Sequence, residues 1–287
     1  MLTGYHTAGL LLHDPCTALQ ELAGLGFRCV ALRPHACMFN PAQSDFSERV
    51  VRLTSVIEQS QLQVVLDLDA SFMQDPWNQH APSLAAEDST GRQEAEDWIS
   101  RWLEVAAELS VSVVTFNSGR IDPSTENLPE RVLDRLVLPI ERLLASADAH
   151  QIALALRPRG GEAIATVAQF ERFGQWLDIG NGLRLAADVG EMLRGGELPL
   201  ADRLARNLES LAVVYLCDRK AGTPRDQPIG MGDVDLNRLI RSLLNHTFDG
   251  PAIARVEGYP ELGLSCARTA METFKQAIPA IGEASES

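Results

Sequence analysis

The chain has no excess of positive charge, no long apolar run and no paired cysteines, and each lack removes a class of function. Lys and Arg together number 25 against 39 Asp and Glu, a formal net charge of −14 at pH 7. Duplex nucleic acid attracts a basic surface, so no nucleic-acid partner is expected. The opening residues, MLTGYHTAGLLLHDP, lack the basic stretch of an export signal. Their apolar run Leu10-Leu11-Leu12 is far shorter than the roughly 20 residues that cross a bilayer. No membrane partner is expected, and the cytoplasm is the expected location. The 5 cysteines (Cys16, Cys29, Cys37, Cys217 and Cys266) are dispersed and form no CxxC pair, which points to reduced thiols. Phosphate-cradling GxGxxG and Walker spacings are missing, as are a GxSxG elbow and a Ser-His-Asp triad.

What is there is an alternation that runs the length of the 287 residues. Short runs rich in Val, Ile, Leu and Ala at 2–7, 28–33, 63–68, 112–117, 152–157, 183–188, 212–218 and 252–257 have the pattern of parallel strands covered on both faces. Each is followed by a helical pattern, at 14–25, 44–60, 91–110, 126–150, 162–177, 200–209, 234–245 and 262–278. The first helix carries Pro15 just inside its start and Gly26 just past its end, both in preferred positions. Helix-to-strand turns are tight, whereas strand-to-helix loops are longer, above all 69–90. That loop, with Phe72, Met73, Trp77 and His80, is expected to be an ordered cover for the mouth. Trp98 and Trp102, four apart on the third helix, are expected to pack in the core. The spacing predicts one domain over 1–287, a single (β/α)8 TIM barrel of the α/β class, with 279–287 as a flexible tail. An open doubly wound sheet is the rival. In a barrel, the long loops all lie on the face where active sites sit.

With the strands placed, a series of short motifs falls into order. Gly4, Tyr5 and Thr7 form an opening GYxT, LAGLGF at 22–27 ends the first helix, and Arg33, Pro34 and His35 close the second strand. Asp75, Pro76, His80, Pro82 and Leu84 make DPxxxHxPxL, followed by NSG at 117–119, DVG at 188–190, Asp218 at the end of the seventh strand and GMGDVDL at 230–236. No single piece is specific, but in this order and placement the chain resembles the xylose isomerase-like TIM-barrel superfamily. That is the sugar phosphate isomerase/epimerase group, which also includes endonuclease IV-like enzymes. The resemblance spans nearly the whole chain. It implies a sugar or sugar-acid isomerase/epimerase working at the C-terminal mouth, where an acid/base residue moves a proton between neighbouring carbons. It also implies a divalent cation held by Glu from strand five, Asp from strand six, His or Gln from strand seven and Glu from strand eight. Such a hard cation takes oxygen-rich ligands and polarises sugar oxygens.

At those positions the chain departs from the family. Arg157 stands at the strand-five Glu, Asp188 is kept, Tyr215 takes the strand-seven place, and Arg255 takes the strand-eight place with Glu257 two residues on and facing the same side. Glu191 replaces the histidine of the family's DVGH. Arginine cannot ligate a metal, stays charged, and repels a cation at low effective dielectric. Three readings stay open. Asp188, Glu191, Asp218 and Glu257 form a shifted carboxylate set for Mg²⁺, Mn²⁺ or Zn²⁺. Alternatively, with no cofactor, these acids pair with Arg157, Arg159 and Arg255 in a network filling the old cavity. In the third, Arg33, Arg157 and Arg255 hold an anionic ligand, since guanidinium forks suit carboxylate or phosphate.

As an isomerase the chain would use Glu191, Glu257 and His80 as catalytic candidates. His35, Arg157, Arg255, Asp188, Tyr215 and Asp218 would be its substrate contacts. Asp67 and Asp69, alternating in LDLD, either do acid/base work or anchor an arginine. The partner is a small sugar, sugar acid or phosphosugar, and a homodimer stays open. The alternative is a catalytically degenerate, metal-free barrel that binds an anionic metabolite or a protein partner. An endonuclease would need clustered metal histidines and a basic groove, and neither is visible.

Overall fold

In the computed structural model, all residues are described except 36–38, 70–72, 74, 76, 122–128, 178–181, 224 and 279–287. The strands are β1 (Leu2–His6), β2 (Cys29–Leu32), β3 (Gln63–Asp67), β4 (Val113–Phe116), β5 (Ala153–Leu156), β6 (Arg184–Asp188), β7 (Leu211–Leu216), β8 (Asp218–Arg219), β9 (Asp226–Gln227) and β10 (Pro251–Ala254). The helices are α1 (Pro15–Gly24), α2 (Phe46–Ser60), α3 (Ser89–Glu108), α4 (Pro129–Ala149), α5 (Val167–Gly174), α6 (Val189–Arg194), α7 (Leu200–Arg206), α8 (Leu236–Asn245) and α9 (Leu264–Ala277). Eight strands close into a barrel in the order β1-β10-β7-β6-β5-β4-β3-β2, every pair parallel. The rival open sheet is thereby excluded. β8 and β9 form a separate antiparallel hairpin above the mouth.

Local chemistry sets the helix starts. Asp14 caps α1, its Oδ1 accepting from Thr17 N–H at 3.1 Å, and Asp88 and Asp235 do the same for α3 and α8. Outward strand residues and inward helix faces make one continuous core, in which Trp102 packs edge-on against Trp98, Phe39 and Phe46. No helix among the described residues is long and apolar enough to cross a membrane.

Three expectations need correction. The helix expected over 162–177 starts only at Val167, because Thr166 Oγ1 supplies the cap to Gln169 N–H at 3.1 Å, so Glu162 lies in the preceding loop. The span 189–199, expected as loop, contains α6, whose N-cap is Asp188. The cover expected from loop 69–90 is not made by Trp77, which is 92% exposed, although Met73 packs against the core. Phe72, Cys37 and the tail 279–287 lie outside the described residues.

Candidate functional site

Side chains along a strand alternate between barrel interior and outer layer. The interior floor is a buried cluster of Cys29, Ala31, Val65, Ala155, Ala186, Val213, Tyr215 and Ile253. Two residues further toward the mouth, on the same inward faces, stand Asp67, Arg157, Asp188 and Arg255. The small Ala31, Ala155 and Ala186 leave room above them for large groups. Arg157 is 1% exposed and Arg255 4%. Lys220 and Lys275 are the only lysines, so every cation buried here is a guanidinium that keeps its charge.

One half of the mouth is organised around Asp67. Its Oδ2 accepts from Arg157 Nη1 at 3.1 Å and from His6 Nε2 at 2.8 Å. His6 Nδ1 accepts from Ala8 N–H at 3.0 Å, which assigns the ring proton to Nε2 and makes His6 a neutral donor. Burial, acting against the attraction of Asp67, holds the His6 pKa below its ordinary value, in keeping with that tautomer. Asp67 Oδ1 accepts from Thr115 Oγ1 at 2.9 Å, so Thr115 in turn accepts from the Tyr215 hydroxyl at 2.9 Å. The Tyr215 ring lies 5.3 Å from the Arg157 guanidinium carbon, a cation–π contact. Burial alone would raise the Asp67 pKa, but Arg157 and His6 hold it well below the usual carboxylate range. Asp69 takes Arg157 Nη2 and Arg159 Nη1, each at 2.9 Å.

The other half is organised around Arg255. Its Nη2 lies 2.8 Å from Asp188 Oδ2 and 3.2 Å from Asp226 Oδ2, and its Nη1 lies 2.8 Å from Glu257 Oε1. Asp226 arrives from the β8–β9 hairpin and also meets Arg219 at 3.0 Å and Arg194 at 3.4 Å. Arg33 ties the halves together, reaching Glu257 at 3.0 Å and Asp69 at 3.5 Å. Glu257, which burial would push up, is held far below the usual range by Arg255 and Arg33. Arg255 Nε has no hydrogen-bond partner among the described residues.

The shifted carboxylate set is not brought together. Asp218 Oδ2 accepts from Gly230 and Gly232 N–H, each at 2.9 Å, and Oδ1 from Val234 N–H at 3.2 Å, clamping the GMGDVDL loop. A Cβ at Gly232 would sit 2.1 Å from Asp218 Oδ1, so only glycine fits this clamp. Glu191 accepts from Arg194 and from Gly160 N–H at 3.2 Å. Asp188 is spent on the α6 cap, at 3.1 Å from Glu191 N, and on Arg255. No three His, Cys, Asp or Glu side chains among the described residues converge on a point that could hold a metal ion. At the positions of the implied ligand set, two guanidiniums and a phenol surround the lone Asp188. A unit cation about 4 Å from another is repelled by about 4 kcal/mol at an effective dielectric near 20, and a divalent ion by about twice that. These residues do not fit a divalent cation.

His35 pairs its backbone with Phe39, at 3.1 and 2.9 Å, and its ring pKa is lowered by burial and by Arg33. His80 lines a cavity of about 100 Å³ beside the barrel axis, and burial, Arg120 and Arg159 hold its pKa below the ordinary value. The same cavity brings in Glu162, which sequence reasoning missed. Arg120 and Glu162 face each other across an isolated antiparallel bridge, and Glu162 Oε2 accepts from Ser118 Oγ at 3.4 Å. Burial pushes Glu162 up to about 7 against the pull of Arg159. Read as the first residue of the helical pattern at 162–177, it had no signal of its own, and that pattern gives no hint of Arg120 or of the fold of the chain around it.

A family model described as xylose isomerase-like TIM barrel matches residues 19–279. Among solved structures, the chain is similar to D-psicose 3-epimerase with D-tagatose from Clostridium cellulolyticum H10, at 15% identity and a TM-score of 0.76, covering 96% of this chain and 98% of that one. It is similar to the 3-keto-D-glucoside 4-epimerase YcjR from E. coli, at 16% identity and a TM-score of 0.75, covering 96% and 99%. It is also similar to an IolI protein with a bound zinc atom, at 14% identity and a TM-score of 0.74, covering 96% and 98%. At such identities the likeness carries the fold. No curated protein matches the chain.

Proposed function

The chain belongs to the xylose isomerase-like TIM-barrel family, and from that premise we propose that it is a metal-independent member that takes a small sugar or sugar acid at the C-terminal mouth of the barrel. One observation carries this reading: Arg157 and Arg255 stand where a cation's ligands would be and are neutralised there by Asp67, Asp69, Asp188, Asp226 and Glu257. The sugar class rests on the family and on neighbours named as sugar epimerases. Glu191 and Glu257 are each committed to an arginine, which leaves them poorly placed to carry a proton between substrate carbons. The isomerase reading keeps one supporting observation, the shared cavity of His80 and Glu162. The test is metal analysis of the purified protein together with thermal melts in sugars and sugar acids, with and without chelator. We expect substoichiometric Mg, Mn and Zn and a ligand-induced rise in Tm that chelator leaves intact, since a ligand of the folded state raises stability by mass action. One equivalent of metal, lost to chelator together with the ligand response, would sink the reading.

A further inference from the structure

The mouth arginines Arg33, Arg157, Arg159, Arg194, Arg219 and Arg255 all have carboxylate partners. Arg120 has none among the described residues, and its guanidinium borders the off-axis cavity. The floor of that cavity is apolar, made by Leu68, Leu84, Trp98, Ile99 and Phe116, and its rim is polar, with His80, Asn117 and Glu162. It opens onto a wider groove of about 1050 Å³ that shares His80, Arg120 and the segment 81–83. We propose that this cavity binds a short hydroxylated monocarboxylic acid, its carboxylate forked by Arg120 and hydrogen-bonded to the Glu162 carboxyl.

Three observations set that ligand class. One guanidinium with no carboxylate partner among the described residues supplies forked donors for one carboxylate. The outer groove carries Asp75, Glu87, Asp88 and Glu94, which repel a dianion and disfavour phosphates. A volume of about 100 Å³, at the roughly 10–15 Å³ that one water needs, holds a molecule of under about ten heavy atoms. The charged and titratable groups facing Glu162 are Asp69 at the end of β3, His80, Arg120, and Arg157 and Arg159 at the end of β5. α3 faces the cavity with Ala95, Trp98 and Ile99, which do not titrate. Burial favours the neutral form of Glu162, with its pKa near 7, so the carboxyl donates below neutrality and repels an anion above it. This inference rests on the reading that the mouth takes a small ligand without a metal.

The experiment is calorimetric titration of the whole protein with D-glycerate, which stays ionised throughout, with glycerol as its neutral counterpart, at pH 6 and pH 8, each with and without chelator. Binding at pH 6 is expected to be about tenfold tighter than at pH 8, the ratio of protonated carboxyl for a pKa near 7. Glu162→Gln, a neutral isostere, should hold the tight value at both pH values, and Arg120→Ala should weaken binding more than tenfold at both. An unchanged pH slope in Glu162→Gln, an Arg120→Ala affinity equal to wild type, or glycerol binding as tightly as glycerate overturns the assignment. Glycerate binding that vanishes with chelator overturns the metal-independent reading instead, so the two failures can be told apart.

Discussion

The barrel axis and the cavity beside it are both built from charged side chains at strand ends, yet they differ in kind. On the axis every guanidinium meets carboxylates, and Asp67 is saturated by His6, Thr115 and Arg157. In the flank, Arg120 and Glu162 stand across one bridge without an ion pair between their side chains, and Glu162 is kept near neutrality by burial. A charge set that satisfies itself supplies rigidity and has little left to offer a ligand. A set left partly unpaired at an opening is available to one. Enclosed charge in this barrel therefore marks a support, and the less charged margin marks the place to look for chemistry.

The strongest way to break that contrast is to remove the hub of the axis. Asp67→Asn should cost about 3–5 kcal/mol in urea denaturation, the usual effect of leaving a buried partner uncompensated. Replacing both members, Asp67→Leu with Arg157→Met, should cost well below the sum of the single changes, because the two act as one unit. Additive losses in that double-mutant cycle would mean that Arg157 does not depend on Asp67.

Acid should sharpen the same contrast with an intermediate effect. Asp67, Asp69 and Glu257 have folded pKa values below their unfolded ones, so their stabilisation is present above the unfolded values, near pH 4, and is lost as pH falls below them. His6, neutral in the fold, has a folded pKa below its unfolded value near 6.5, so it adds a loss that begins as pH drops through that value. Denaturant melts from pH 7 to pH 2 should show stability falling in both windows, and His6→Asn should flatten the upper one.

The flank should give the smallest change, and one of opposite direction. The folded pKa of Glu162 is raised to about 7. Between its unfolded value near 4.3 and that point the fold holds a proton that the unfolded chain has released, so stability falls as pH rises. Glu162→Gln should lift Tm by on the order of 2 °C at pH 8 and leave it unchanged at pH 4. A drop at pH 8 would mean that the Glu162 carboxylate is held by a favourable partner.

The barrel was legible residue by residue. Continuous apolar runs fell on all eight strands, within one residue at each end except where 212–218 and 252–257 ran past the ends of β7 and β10, because a strand covered on both faces has no polar side to show. The inward direction of Arg157 and Arg255 was legible too, since alternation carries Ala155 to Arg157 and Ile253 to Arg255 on one face. The partners of those arginines were only partly legible. Asp188 and Glu257 follow from strand position, whereas Asp226 sits on a two-residue strand whose hairpin has no periodicity to read. The shifted metal set failed for a local reason: Asp218 accepts three backbone N–H groups in its loop clamp, and Asp188 is divided between the α6 cap and Arg255, so neither has much left for a ligand.

Alternation of apolar runs and helix signals determined from sequence alone that this is an eight-stranded barrel with two arginines in its mouth, since burial periodicity and strand parity are local properties. Whether those arginines wait for an anion or are already neutralised, and that Glu162 meets Arg120 beside the axis, was decided only by the tertiary structure. Charge pairing depends on distances of a few ångströms between strands far apart in the chain, as when residue 67 meets residue 157, and no local pattern encodes them.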